Sequence, residues 1–240
     1  MFGETELSLL YEGALWLPAA RVLVVSDLHL GKAAAFAQAG VMLPPYDSHA
    51  TLQRLADVVQ RLQPVQVVCL GDSFHRPDSA PQLPQAAKEQ LKLMQQGRDW
   101  VWILGNHDAQ IGGGMDRRQL HELAIGALQL RHEPTAISQG DTLQICGHYH
   151  PAAKIRRMGR SVRRRCFAYS DQLLVLPAFG AFTGGLNLLD EAFTSVFTTQ
   201  TRLKGVVMLG QEQLYNVHPR ALVQDGARIA SRRFRSPTSA

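Results

Sequence analysis

Four segments of this 240-residue chain run from an apolar stretch into a small residue and then into side chains that bind metals or move protons: RVLVVSDLH (Arg21–His29), VVCLGD (Val67–Asp72), VWILGNHD (Val101–Asp108) and QICGHYHP (Gln144–Pro151). Each apolar part has the length and β-branched character of a buried strand, so four strand ends deliver polar groups to one edge. Asp27 and His29 stand one residue apart, which in an extended segment places both on one side, and His148 and His150 repeat the spacing. Asp72 adds a carboxylate, Asn106 a neutral carbonyl oxygen, and His132, after the expected strand LQLR, a further imidazole. One His-x-His pair is as readily a polar turn as a ligand pair. The combined nitrogen and oxygen set is large enough for two divalent cations, more than a single zinc needs, with one carboxylate expected to bridge them.

Strands must position these donors. Apolar runs predict them near Leu7–Leu10, Leu15–Leu17, Val22–Val25, Val65–Leu70, Trp100–Leu104, Leu128–Leu130, Thr142–Cys146, Leu173–Leu176 and Val206–Leu209. A helix is expected from Asp47, as N-cap after Pro44 and Pro45, through Leu52, Leu55, Ala56, Val59 and Leu62; a second spans Pro84 to Gln96, and a third surrounds Leu120 to Ile125. Strands alternating with helices, then a strand-rich later half, predict an α/β sandwich of two mixed β-sheets flanked by helices. Ligands of such folds gather beyond the carboxyl ends of the strands, where the four motifs point.

The chain is 45% hydrophobic and has no linker, repeat or low-complexity tract, so one domain is expected over residues 1–231, followed by a basic, flexible tail at 232–240. Runs such as VLVV are too short to span a bilayer, and MFGETELSLLYEG carries acids where a signal peptide carries positive charge, so a cytoplasmic location is expected. Cys69, Cys146 and Cys166 lack zinc-ligand spacing and are expected to be inert thiols, Cys69 and Cys146 inside apolar strand runs. His49, His121 and His218 have nothing nearby to complete a site.

SDLH, GD, GNHD, a single His and GHYH, in that order, resemble the signature blocks of the calcineurin-like metallophosphoesterases. The resemblance implies that Asp27, His29, Asp72 and His150 hold one metal, and that Asp72, Asn106, His132 and His148 hold the other. It also implies Mn²⁺-type ions, although such ligands equally accept Fe²⁺, Zn²⁺ or Ni²⁺. His107 is then the candidate to contact the phosphate and protonate the leaving oxygen, while Asp108 orients the loop or the imidazole, or simply stabilises the turn. The GDSFH block places His75 where many family members carry a carboxylate or amide, as in double-strand-break repair nucleases, and implies that His75 stands beside His107 to steer a phosphodiester. LPAFGAFTGGLNLLD (Leu176–Asp190) resembles the ligase-associated DNA-damage-response endonucleases within that family. By itself, such a Gly- and Phe-rich stretch reads as a tight turn over the core.

The formal net charge is +5, and KIRRMGRSVRRR (Lys154–Arg165) begins four residues after His150. A basic run is often only a solvated face. Its position makes Lys154, Arg156, Arg157, Arg163, Arg164 and Arg165 candidates for a groove that tracks phosphates, with Tyr149, Phe167 and Tyr169 either stacking on bases or buried as core. The resulting expectation is a binuclear phosphodiesterase acting on DNA that is single-stranded, flapped or nicked. The resemblance implies a helicase, a ligase and a nuclease as functional partners. The alternatives are a phosphodiesterase or phosphatase for small nucleotides, and a metal-bound but idle repair scaffold.

Overall fold

The structure, a computed structural model, describes residues 5–38, 40, 46–76, 79–106, 118–136, 142–199 and 201–226. The expectations for His107, Asp108 and the tail at 232–240 lie outside the described residues. One sheet contains, in spatial order, β1 (Ser8–Leu9), β2 (Leu15–Leu17), β3 (Val22–Val25), β4 (Gln66–Leu70), β5 (Asp99–Ile103) and β6 (Arg118–Leu120), with β3 to β6 parallel. The second is built from β7 (Glu122–Ile125), β8 (Leu128–Arg131), β9 (Leu143–Cys146), β10 (Pro151–Arg157), β11 (Arg160–Tyr169), β12 (Leu173–Val175), β13 (Leu186–Asn187), β14 (Gly205–Leu209) and β15 (Leu214–Val217). Its order is β13-β10-β11-β12-β9-β8-β7, with β14 and β15 attached at β11.

The side-chain period of two explains the layers. Val22 and Val24 of β3 pack between the sheets with Leu130, Ile145, Phe167 and Val207. Leu23 and Val25, on the other face, meet Leu52 and Leu55 of helix α2 (Asp47–Leu62) and Leu91 of the helix Gln85–Gln95. A parallel strand covered on both faces reads as an unbroken apolar run, which is why VLVV and VVCL stood out in the sequence. A third cluster, including Cys146, Cys166, Phe193 and Met208, covers the outer face of the second sheet. The three cysteines are buried and form no disulfide, and burial pushes the Cys146 and Cys166 thiols well above their usual range.

Two expectations are corrected. The region of Leu120 to Ile125 is not helical: β6 pairs with β5, and β7 pairs with β8. Exposure along β7 alternates, as it does on a sheet edge, so the ladder outweighs helix-permissive residues. Asp47 does not cap its own helix, whose N-cap is Tyr46 without a side-chain bond. Its Oδ2 instead accepts from the Ala33 N–H at 2.9 Å, in the first turn of α1 (Lys32–Gln38), while Ser48 Oγ accepts from Gly31 N–H at 2.8 Å. These bonds tie the chain just after His29 to α2. The basic run, for which the sequence predicted no strand, forms the β10–β11 hairpin.

Candidate metal centre

Every donor named from the sequence within the described residues follows a strand in the parallel direction. Asp27 and His29 follow β3, Asp72 follows β4, Asn106 follows β5, His132 follows β8, and His148 and His150 follow β9. The loops continue the ladder beyond the strands: Asp27 N–H donates to Gly71 O at 3.2 Å, His29 N–H to Asp72 O at 2.9 Å, and Gly147 N–H to His132 O at 3.0 Å. The backbone must then turn sharply. Eight non-glycine residues among those described have positive φ, and five are Asp27 (53°), His29 (46°), Asp72 (45°), His148 (67°) and His150 (45°). Such conformations cost on the order of 1–3 kcal/mol each and persist only where surrounding structure imposes them, typically at functional sites.

The fit also requires two glycines. A Cβ on Gly71 would lie 2.0 Å from His132 Nδ1, and one on Gly147 would lie 1.8 Å from Ser26 Oγ and 2.6 Å from Asp27 Oδ2. These two glycines, which end the apolar runs of β4 and β9, therefore let a donor from the opposite sheet approach.

Two clusters result, Asp27 with His29 and His150, and Asp72 with His132 and His148, the ligand atoms in each lying within 4.8 Å of one another. In the first, His150 Nε2 lies 3.1 Å from Asp27 Oδ1 and 3.3 Å from His29 Nε2. In the second, His132 Nε2 lies 3.2 Å from His148 Nδ1. Asp72 sits between them, with Oδ2 3.9 Å from His29 Nε2 and Oδ1 3.5 Å from His132 Nε2. Facing imidazole nitrogens with buried carboxylates beside them suit divalent cations with mixed nitrogen and oxygen preference.

The electrostatics favour the ligating forms. Burial alone would raise the Asp27 carboxyl, but the hydrogen bond and charge of His150, the charge of His132 and the Ser26 hydroxyl at 2.5 Å together hold it below its usual value. Burial and the neighbouring His132 push His148 down, against the pull of Glu133, Asp27 and Asp72. An ionised carboxylate and a neutral imidazole are the states that bind metal.

Glu133 was not legible in the sequence, where it is simply the acid after His132. Its Oε1 accepts from Asn106 Nδ2 at 2.6 Å and lies 3.6 Å from His148 Nδ1. With its NH₂ so engaged, the Asn106 amide keeps its Oδ1 for another partner, the arrangement a ligating amide needs. His75 borders the same edge, with its ring centroid 6.0 Å from that of His29. An open pocket of about 550 Å³ lies over the centre, lined by His29, His75, His148, His150, Lys32 and the 183–185 turn. The Gly- and Phe-rich stretch, which by itself reads as a turn over the core, thus also lines the site. Phe182, 48% exposed, stands beside that turn, and its carbonyl accepts from Lys32 Nζ at 3.3 Å.

Register places Lys154, Arg156, Arg163 and Arg165 on one face of the hairpin, with Arg157 and Arg164 on the other. Several of these cations are engaged within the protein. Arg165 is largely buried and donates to Ala178 O at 2.8 Å and Gly180 O at 2.9 Å. Arg163 donates to Gly185 O and pairs with Asp225 at 3.2 Å, which also lies 3.7 Å from Lys154. Arg156, Arg157 and Arg164 are exposed. Of the aromatics, Phe167 is core, and the Tyr149 ring packs edge-on against His148 at 4.9 Å.

Two candidate metal-binding clusters at the carboxyl ends of strands from two facing sheets define a class, and the sequence agrees: the chain belongs to the calcineurin-like phosphoesterase family, which residues 20–155 match. It is a metal-dependent hydrolase. Among solved structures it is similar to the Pseudomonas putida nuclease MPE, at 26% identity and a TM-score of 0.67, covering 90% of this chain and 96% of that one. A second, Yfce, a phosphoesterase from E. coli, is 16% identical with a TM-score of 0.42, covering 82% of this chain and 98% of that one. No curated protein matches the chain.

Proposed function

We propose that this chain is a two-metal DNA endonuclease of a ligase-associated repair set, acting in the cytoplasm alongside a helicase, a ligase and a second nuclease. Asp27, His29, Asp72 and His150 would hold one cation, and Asp72, Asn106, His132 and His148 the other, manganese being the first choice. Bound there, such cations lower the pKa of a water and neutralise charge on the phosphate as it is attacked in line. The protein's part is positional: Asp72 offers one oxygen to each cluster, and Glu133 fixes the Asn106 amide. His75 steers the phosphodiester, His107 protonates the leaving oxygen, and Asp108 orients that loop.

The observation that carries the DNA reading is continuity between pocket and hairpin. His150 immediately precedes β10, and the pocket residue Gly185 is bonded to Arg163, on the same face as Arg156. Likeness to a nuclease over 90% of the chain supports it.

A small-nucleotide phosphodiesterase is favoured by a different observation: Arg163 and Arg165 donate to the protein's own carbonyls, and about 550 Å³ is an ordinary volume for a small-molecule site. The metal-reconstituted protein should be assayed on bis(p-nitrophenyl) phosphate, p-nitrophenyl phosphate and circular single-stranded DNA. Linearisation of the circle together with diester hydrolysis is expected. Diester hydrolysis with an intact circle would select the small-nucleotide enzyme.

A further inference from the structure

A second cavity, of about 210 Å³, is lined by Tyr11, Glu12, Arg54, Arg164, Arg165 and Gln211, and none of these is a candidate metal ligand. By the measure in which one water needs about 10–15 Å³, it has room for more than a bridging water. Arg54 projects from α2, with its guanidinium 4.3 Å above the Phe179 ring. Its Nε and Nη2 are buried and have no hydrogen-bond partner among the described residues. Those two nitrogens form one edge of the guanidinium, with parallel N–H bonds spaced to grip two oxygens of a tetrahedral or carboxylate anion. Burial, and then the charge of Arg165, bring the Arg54 pKa down to about 10, which leaves the group cationic at neutral pH.

The cavity thus gathers three guanidinium groups against one carboxylate. Glu12 is itself answered from the side, since its Oε1 pairs with Arg61 Nη2 at 2.6 Å. Its other oxygen, Oε2, is buried without a hydrogen-bond partner among the described residues. Arg54 and Glu12 both line this cavity, and unpaired donors on the one with an unpaired acceptor on the other suit an occupant that accepts through two oxygens and donates through a third group. A phosphate that retains a P–OH does both. Sulfate and a phosphodiester carry no proton at neutral pH and cannot donate to Glu12.

We propose that this cavity is a binding site for inorganic phosphate, gripped side-on by Arg54, capped by the exposed Arg164 and read for its proton by Glu12. The site does not depend on the DNA reading. It adjoins the metal centre through the backbone: Arg165 and Arg54 hold the 178–180 segment, whose Phe179 and Gly180 N–H groups donate to Ser26 O at 2.7 Å and Asp27 O at 3.1 Å.

The test is phosphate-dependent thermal stabilisation of the metal-loaded protein at constant ionic strength, with sulfate and chloride as comparison anions. Asp72→Asn serves to remove phosphate binding at the metals. Phosphate should raise the midpoint of wild type and of Asp72→Asn alike, and Arg54→Gln should need at least about tenfold more phosphate for half the effect, the loss of one charged bidentate contact. Arg164→Gln, at an exposed position, gives the same direction should Arg54→Gln fail to fold. A response that Asp72→Asn abolishes while Arg54→Gln and Arg164→Gln retain it overturns the proposal, because it assigns the phosphate to the metals. A sulfate response equal to that of phosphate overturns the role of Glu12, and with it the choice of phosphate. No response to any anion leaves water as the occupant and overturns the site.

Discussion

The metal edge and the basic hairpin are both dense in polar groups, yet they use them in opposite ways. At the edge, donors from five strand ends converge, with His29 and His150 at 3.3 Å and His132 and His148 at 3.2 Å. Five of them, Asp27, His29, Asp72, His148 and His150, have left-handed backbone conformations, within loops that hydrogen-bond to one another. On the hairpin, Arg163 and Arg165 turn back to bond the protein's own carbonyls, and only some of the run remains exposed to meet a partner. Short side chains on short loops have little choice of direction, whereas an arginine has several rotatable bonds and reaches whatever acceptor the tertiary structure brings near. Charge density in a sequence is therefore weaker evidence of a ligand site than a repeated strand-end pattern.

Variants can break this comparison. Asp72→Ala should have the largest effect, because its two oxygens face one histidine of each cluster: both ions are lost and activity falls below detection. Substantial turnover with two ions per chain by elemental analysis would remove the bridging role. Next, Glu133→Ala should weaken metal at the second cluster or lower activity by about 10–100-fold, the usual effect of losing a group that orients a ligand. Glu133→Gln should recover part of it, since an amide oxygen still accepts from Asn106. Equal defects in both variants would point to charge rather than positioning.

On the hairpin, Arg165→Gln should cost about 1–3 kcal/mol of stability for the buried acceptors left behind, and should slow small diester and DNA hydrolysis together. A selective loss on DNA would instead return Arg165 to the nucleic-acid surface. The smallest effect separates the two faces. Arg156→Gln should flatten the salt dependence of single-strand binding by about 0.7 units, one phosphate contact, while Arg157→Gln leaves it unchanged. The reverse pattern would put the strand on the other face of the hairpin.

Much of this architecture was legible because the physics is local. Nine apolar runs marked strands, and each appears with its ends exact or shifted by one residue; the strands buried on both faces, such as β3 and β4, stood out most because they must be apolar throughout. The donors could be placed at one edge because each directly follows such a strand. Near Leu120 to Ile125 the same reasoning failed: a short stretch with permissive residues takes its conformation from whichever strand edge is free to pair with it, here β5 and β8. The hairpin escaped because arginine-rich strands carry no apolar alternation.

What the sequence determined by itself is the set of metal-type donors, their order and the glycines beside them, because these follow from residue chemistry and from strands that end where apolar runs end. Tertiary structure alone decided which donors meet and which cations are committed to the fold. Glu133 became the support of Asn106, and Arg165 an anchor for the 178–180 segment, only when distant strands brought acceptor and donor within reach. Long-range proximity depends on the packing of two sheets, and neither spacing nor composition encodes that distance.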